Sequence, residues 1–285
     1  EDGTMELVPA SPEMKIWHLF THTSGLSYGF DENDPIDRLY QKHMSHYVDD
    51  DAPMSLKGFV ERLATLPLAH HPGTAFRYSF STDVLGYLVQ VVSGMPFEDF
   101  LNERIFEPLG MPDTGFYVPE SKWERMAGCY GPGEGGNLST APELGRDNFT
   151  DSEAMPTGGS GLVSTGADYL RFAQMLLTQG ELDGVRLLGP KTLELMTMDH
   201  LGGRLHPFDN PASGFGLGFS VLADVAGARE AGSVGSYGWG GAANTTFWVD
   251  PVEDLIGLLM LQYIPGGTHP VIPDFRAAVY QALVE

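Results

Sequence analysis

Cysteine is almost absent. Cys129 is the only one in 285 residues, so no disulfide can form within the chain and the redox compartment stays open, with the cytoplasm as the default expectation. Basic residues are scarce as well: 16 Lys and Arg stand against 38 Asp and Glu, a net charge of −22 spread along the chain. Phosphates and an anionic membrane surface would both be repelled. That argues against nucleic acid and against a membrane as partners, and the acidity reads as a solvating surface. Long apolar runs are missing too. The best, Leu255 to Leu261, has seven residues with a glycine inside, which suits a buried strand and not a membrane span.

Several chemical signatures are also lacking. Only five lysines occur (Lys15, Lys42, Lys57, Lys122 and Lys191), and none stands three residues after a serine. No Ser-x-x-Lys pair of nucleophile and amine base therefore lies in these residues. The segment Gly158-Gly159-Ser160-Gly161-Leu162 fails the Gly-x-Ser-x-Gly pattern at its last position, so an α/β-hydrolase elbow is unsupported. No glycine-rich loop ends in Lys-Ser or Lys-Thr to cradle a phosphate. The one hint of a metal site is His18 and His22 at i and i+4, but Leu19 stands where a metalloprotease needs Glu and no third ligand follows. A packing or capping role is expected for both histidines.

What is present is enough for a folded core. Hydrophobic residues make up 42%, and the length suits one large domain or two smaller ones. Apolar spacing predicts helices over 15–23, 55–66, 82–92, 97–109, 167–177, 190–198 and 271–284. Residues 28–53, rich in Asp, Gly and Pro, read as a long irregular excursion, and 117–161 as irregular with a short hairpin. From Gly216 the pattern switches to strands: 216–223, 230–233, 237–249 and 255–263, with Asp250 to Asp254 as a turn. A helix-rich stretch followed by an antiparallel meander and a closing helix argues α+β. The expected division is a mainly helical part over 15–205, with 1–14 and 206–285 forming the remainder of a sheet domain.

Two places invite chemistry. Tyr78 lies in an aromatic turn just before the helix at 82, but a free phenol titrates near 10 and needs a neighbouring cation to act as a base. Taken by itself, a tyrosine at such a corner more often just packs. The stretch Tyr237-Gly238-Trp239-Gly240-Gly241-Ala242 puts three glycines into a strand, which marks either a bulge or a close approach to bare backbone.

An ordered set of segments joins these places. They are Leu19-Phe20-Thr21-His22-Thr23-Ser24-Gly25-Leu26, Tyr78-Ser79-Phe80 with Ser81-Thr82-Asp83-Val84-Leu85-Gly86, and Glu107-Pro108-Leu109-Gly110-Met111. Then come Gly159-Ser160-Gly161-Leu162-Val163-Ser164-Thr165, Trp239-Gly240-Gly241 and Phe247-Trp248-Val249-Asp250-Pro251. In this order, over nearly the whole chain, they resemble the serine β-lactamase and penicillin-binding superfamily, and within it the family VIII carboxylesterases and their transacylase relatives. The resemblance implies a β-lactamase/transpeptidase-like fold, with a helical domain packed on an antiparallel sheet flanked by helices. It implies that Tyr78 matches the tyrosine of Tyr-x-Asn, which moves the proton of the nucleophile. Trp239, Gly240 and Gly241 match the substrate-binding strand motif, and the Ala242 N–H would be one oxyanion donor. No metal or organic cofactor is implied.

Departures from the pattern shape the expected substrate. Phe80 replaces the Asn that would hold an amide side chain, which disfavours β-lactams and favours small-molecule esters. Trp239 replaces the Lys that would pair with a carboxylate, which favours an uncharged substrate. The family's Ser-x-x-Lys helix would precede the Thr-His-Thr-Ser-Gly-Leu segment and does not occur here. The chain also opens without Met on Glu1-Asp2-Gly3-Thr4, which reads as the middle of a turn. The expectation is therefore the downstream part of a longer enzyme, a serine carboxylesterase with acyl-transfer ability, whose N-terminal segment is a separate or missing piece. The alternatives are a β-lactamase or D-Ala-D-Ala carboxypeptidase, and a non-catalytic ligand-binding relative.

Overall fold

The computed structural model describes residues 5–44, 54–141 and 145–284. Helix α1 (Ile16–Phe20) is shorter than its apolar pattern suggests and is closed at its start by a capping box, in which the Lys15 N–H donates to His18 Nδ1 at 3.0 Å. Helix α2 (Pro35–Met44) corrects the reading of 28–53 as wholly irregular. Pro35 fits a first turn, the Asp34 carboxylate accepts the Ile36 N–H at 2.8 Å, and Asp37, Tyr40 and Met44 form the buried face. The remainder of that excursion, 45–53, lies outside the described residues. Helix α3 (Leu56–Leu63) starts at Ser55, whose hydroxyl accepts the Gly58 N–H at 3.1 Å.

Helix α4 (Ser81–Ser93) begins after Phe80, which makes no side-chain cap, and Gly94 ends it in the left-handed conformation. The expected helix over 97–109 is three pieces: α5 (Phe97–Leu101), a π-turn (Asn102–Phe106) and α6 (Glu107–Leu109). Strands β1 (Tyr130–Pro132) and β2 (Leu138–Thr140) supply the short hairpin. Helix α7 (Gly166–Leu177) is capped by Thr165, and after a two-residue ladder of β3 (Glu181–Leu182) with β4 (Val185–Arg186) comes α8 (Pro190–Thr197).

The sheet is a five-stranded antiparallel meander in sequence order. Its strands are β5 (Ser213–Phe215), β6 (Ser220–Leu222), β7 (Tyr237–Gly240), β8 (Thr246–Asp250) and β9 (Leu255–Leu259). The expected strand 216–223 is mostly the turn and second arm of the β5–β6 hairpin. The expected strand 230–233 is not one: a short helix α9 (Val225–Ala228) and a bend fill that connection. The expected single strand 237–249 is two strands, because Asn244 takes a left-handed φ of 65° and its N–H closes a turn onto the Gly241 carbonyl at 3.0 Å. Helix α10 (Val271–Gln281) closes the chain.

Side chains alternate across β7 and β8 as a period of two requires. Tyr237, Phe247 and Val249 point into a core shared with Leu109, Ala173, Met175 and Leu176, so α7 lies on that face. The opposite face carries Trp248, edge-on to Phe275 at 5.7 Å and stacked with Tyr280 at 6.2 Å, both on α10. A second core joins Leu19, Leu26, Tyr40, Phe59, Leu63 and Phe80, packing α1 and α3 against α4. Each such fully buried side chain contributes roughly 1.5–3 kcal/mol.

Candidate active site

Tyr78 stands where the extended segment after Phe76 enters α4, and the chain on both sides of it is fastened. The Arg77 N–H donates to the His22 carbonyl at 2.8 Å. Hydroxyls run beneath it in a buried chain: Ser79 and Ser81 at 2.8 Å, Ser81 and Ser24 at 2.8 Å, with His22 Nδ1 and Ser79 Oγ at 3.4 Å. The Arg77 side chain reaches the other way. It donates to Ser27 at 3.1 Å, Asp34 at 2.7 Å and Asp37 at 2.5 Å, tying the segment to the start of α2. A backbone pinned in this way presents the Tyr78 ring in a fixed direction.

Aromatic rings surround that phenol. Centroid distances are 4.8 Å to His22, 5.0 Å to Tyr28, 5.5 Å to Trp239, 5.8 Å to Phe208 and 6.5 Å to Phe30. Burial raises the Tyr78 pKa above the ordinary phenol value; a hydrogen bond from the Trp239 indole opposes this, the Asp83 charge adds to it, and a hydrogen bond from Tyr28 opposes it. Tyr78 is therefore neutral near pH 7 in this setting and needs a cation to become a base. Burial pushes His22 down to about 4, so its imidazole is neutral. Burial pushes Asp83 up to about 6, against the pull of the Gly159 N–H at 3.1 Å and the Tyr28 hydroxyl at 3.5 Å.

Of the residues singled out in the sequence, Tyr78 and Trp239 meet directly. Gly240 ends β7 opposite Thr246, and the Gly241 N–H donates to the Thr245 carbonyl at 2.8 Å. Ala242 follows one residue past that last rung, in the turn. Gly240, Gly241 and Ala242 are all exposed, so the strand end next to Trp239 offers bare backbone. Phe80 is buried in the helical core, with its ring 4.5 Å from Tyr28 and 5.3 Å from Phe59. His18 caps α1 and His22 packs among aromatics, and among the described residues no three His, Cys, Asp or Glu side chains converge on a metal position.

Sequence reasoning missed Tyr28, Asp83, Phe30 and Phe208 as neighbours of Tyr78. Tyr28 had one usable signal, since it follows the Thr-His-Thr-Ser-Gly-Leu segment by two residues. Phe30 and Phe208 had none, because a single Phe in a polar loop is unremarkable in sequence.

A helical layer on a five-stranded antiparallel sheet, with Tyr78 packed on Trp239 of the central strand, is the β-lactamase/transpeptidase-like fold. The chain belongs to the Beta-lactamase family, whose pattern matches residues 6–281. It is 39% identical to Protein Rv1367c of Mycobacterium tuberculosis, over 90% of this chain and 64% of that protein, so it spans less than two thirds of that relative's length. It is 30% identical to Esterase EstB of Burkholderia gladioli, over 95% of this chain and 70% of that one. Among solved structures it is similar to unliganded simvastatin synthase (LovD) from Aspergillus terreus, with a TM-score of 0.81 and 26% identity over 100% of this chain and 73% of that one. It is also similar to EstCE1, a hydrolase with promiscuous acyltransferase activity, with a TM-score of 0.77 and 27% identity over 95% and 74%.

Proposed function

We propose that this chain provides the proton-transfer and oxyanion side of a serine carboxylesterase that works through an acyl-enzyme and passes the acyl group to water or to an alcohol. The reading assigns the attacking serine and its lysine to sequence outside these 285 residues, because no serine here has lysine three positions on. Tyr78 takes the serine proton once that ammonium lowers its pKa, and later returns it to the leaving alcohol. The Ala242 N–H donates to the carbonyl oxygen as negative charge develops on it. Trp239, Gly240 and Gly241 form the floor on which the ester lies.

The observation that carries this reading is the contact of Tyr78 with Trp239 at 5.5 Å, beside an exposed glycine-rich strand end. Relatedness to an esterase and to a hydrolase with acyltransferase activity supports the choice of ester chemistry. The buried Phe80, which offers no amide to a substrate, favours esters over β-lactams.

The test uses the full-length gene product. It should cleave p-nitrophenyl butyrate, leave nitrocefin largely intact and take up a fluorophosphonate label. Tyr78→Phe should lower kcat by about 10²–10⁴-fold, with unfolding free energy changed by no more than about 1 kcal/mol. Preference for nitrocefin would replace the esterase reading with a β-lactamase. Absence of labelling and turnover would point to a ligand-binding protein, and near-normal kcat in the variant would remove Tyr78 from the chemistry.

A further inference from the structure

We propose that Phe30 and Phe208 are specificity-determining residues: two exposed rings, each within ring-contact distance of Tyr78, that select esters bearing an uncharged aromatic group. The proposal rests on the esterase reading and adds the substrate class to it.

Phe30 is 75% exposed and Phe208 64% exposed, more than any other aromatic side chain among the described residues. Loose loops would make such exposure uninformative, but both rings are held. Gly29 precedes Phe30 at φ 81°, where a Cβ would meet the Asp37 carbonyl oxygen and the Gln41 nitrogen at 3.0 Å. The Gly29 carbonyl accepts from the Gln41 amide at 2.6 Å, and the Asp31 N–H donates to the Asp37 carboxylate at 3.0 Å. Asp37 is itself buried against Arg77. Both neighbours of Phe30 are thus anchored to α2, and its ring stacks on Tyr28 at 5.3 Å and 26°.

Phe208 is held differently. Pro207 before it is buried, and Phe208 and Asp209 take left-handed φ values of 51° and 55°. That conformation is unfavourable for a residue with a Cβ and collects at ligand sites. The ring meets Phe76, Tyr78 and Trp239 edge-on or tilted at 5.5, 5.8 and 6.2 Å. Two segments far apart in the chain therefore each leave a phenyl face in solvent beside the same phenol. Flat apolar faces held beside a reactive group are suited to stacking on a flat apolar part of a substrate. Asp31 and Asp209 adjoin the two rings in sequence, and the chain as a whole carries −22, so a carboxylate-bearing substrate is disfavoured.

The test uses the full-length enzyme with Phe30→Ala, Phe208→Ala, the double variant and the two Leu substitutions. Substrates are 2-naphthyl acetate and methyl 2-naphthoate, which place the ring on the alcohol and acyl sides, with ethyl acetate as the small control. The double variant should lose roughly 10-fold or more in kcat/KM on at least one naphthyl ester, mainly through KM, and less than about 3-fold on ethyl acetate. The Leu variants should fall between. Equal losses on all three esters, or no loss, would overturn the proposal and leave the rings as supports for Tyr78. Binding of 2-naphthol, followed by its fluorescence, separates the two readings. Weakened binding in the double variant without any ester turnover would keep the aromatic site and remove the esterase. Turnover with unchanged naphthol affinity and unchanged selectivity would do the opposite.

Discussion

Tyr78 is flanked by two buried ionisable residues whose effects on stability run in opposite directions with pH. His22 is 2% exposed and titrates at about 4, against 6.5 when unfolded. The unfolded chain takes up that proton first as pH falls, so stability present above about 6.5 is lost as pH drops toward 4. Asp83 is 3% exposed and titrates at about 6, against 3.8 when unfolded. Here the folded chain holds the proton longer, so stability present below about 3.8 is lost as pH rises through 6. Each effect is on the order of 3 kcal/mol, and they overlap between about 4 and 6. In the native protein they offset, and single variants should uncover them. Asp83→Asn should leave a fold that weakens as the solution is acidified across that window, and His22→Phe one that weakens as it is made less acid. Urea unfolding at several pH values checks this. Parallel stability curves for the native protein and both variants would mean that these residues do not titrate as their burial dictates.

At the scale of elements, the seam between the 158–161 loop and the start of α4 decides how firmly Tyr78 is placed. The Gly159 N–H donates to Asp83, and a Cβ at Gly159 would lie 2.5 Å from the Tyr28 hydroxyl and 2.8 Å from the Asp83 carboxylate. Gly159→Ala must push the loop off the helix or turn Tyr28 away. The expected result is a loss of about 1–3 kcal/mol in stability, with a fall in kcat because Tyr28 packs on Tyr78. Gly166→Ala is the control: its Cβ would meet only Met260 at an ordinary 3.7 Å, inside the first turn of α7. That change should be neutral or stabilising by up to about 1 kcal/mol. Thermal melts of the two variants settle the comparison. Sequence reasoning located the Gly158-Gly159-Ser160-Gly161 segment but gave no reason for its glycines, because the reason is a contact with residues far away in the chain. The helices with apolar stripes, α3, α4, α7 and α8, were legible for the opposite cause: their signal is periodic and local. Helix α2 was hidden because its Asp and Pro, which read as loop composition, are the very residues that start it.

For the whole molecule, the α+β meander was legible because short turns force neighbouring strands to pair, as the β7–β8 and β8–β9 turns do. The meeting of Tyr78 with Trp239 was not legible from pattern. It came from the resemblance, and a helix-capping corner and a strand end carry no shared periodicity. Net charge, in contrast, is read from composition alone and acts on the entire fold. At −22 the acidic side chains repel one another, and that repulsion is screened over a length of about 10 Å at 0.1 M salt. Salt also weakens the ion pairs, so the sign depends on which effect is larger. Among the described residues several of the pairs are largely exposed, such as Lys57 with Glu61, and exposed pairs contribute little. The half-buried Arg77 pairs with Asp34 and Asp37 are screened least. Repulsion should therefore dominate, and the melting temperature should rise by a few degrees between about 0.01 M and 0.2 M NaCl and then level off. Under the same titration, kcat/KM for a neutral ester should stay nearly constant while that for an anionic ester rises, since only the second must approach an acidic surface. A melting temperature that falls with salt would show that specific ion pairs outweigh the net charge. An anionic ester indifferent to salt would mean that the acidic side chains lie away from the cleft.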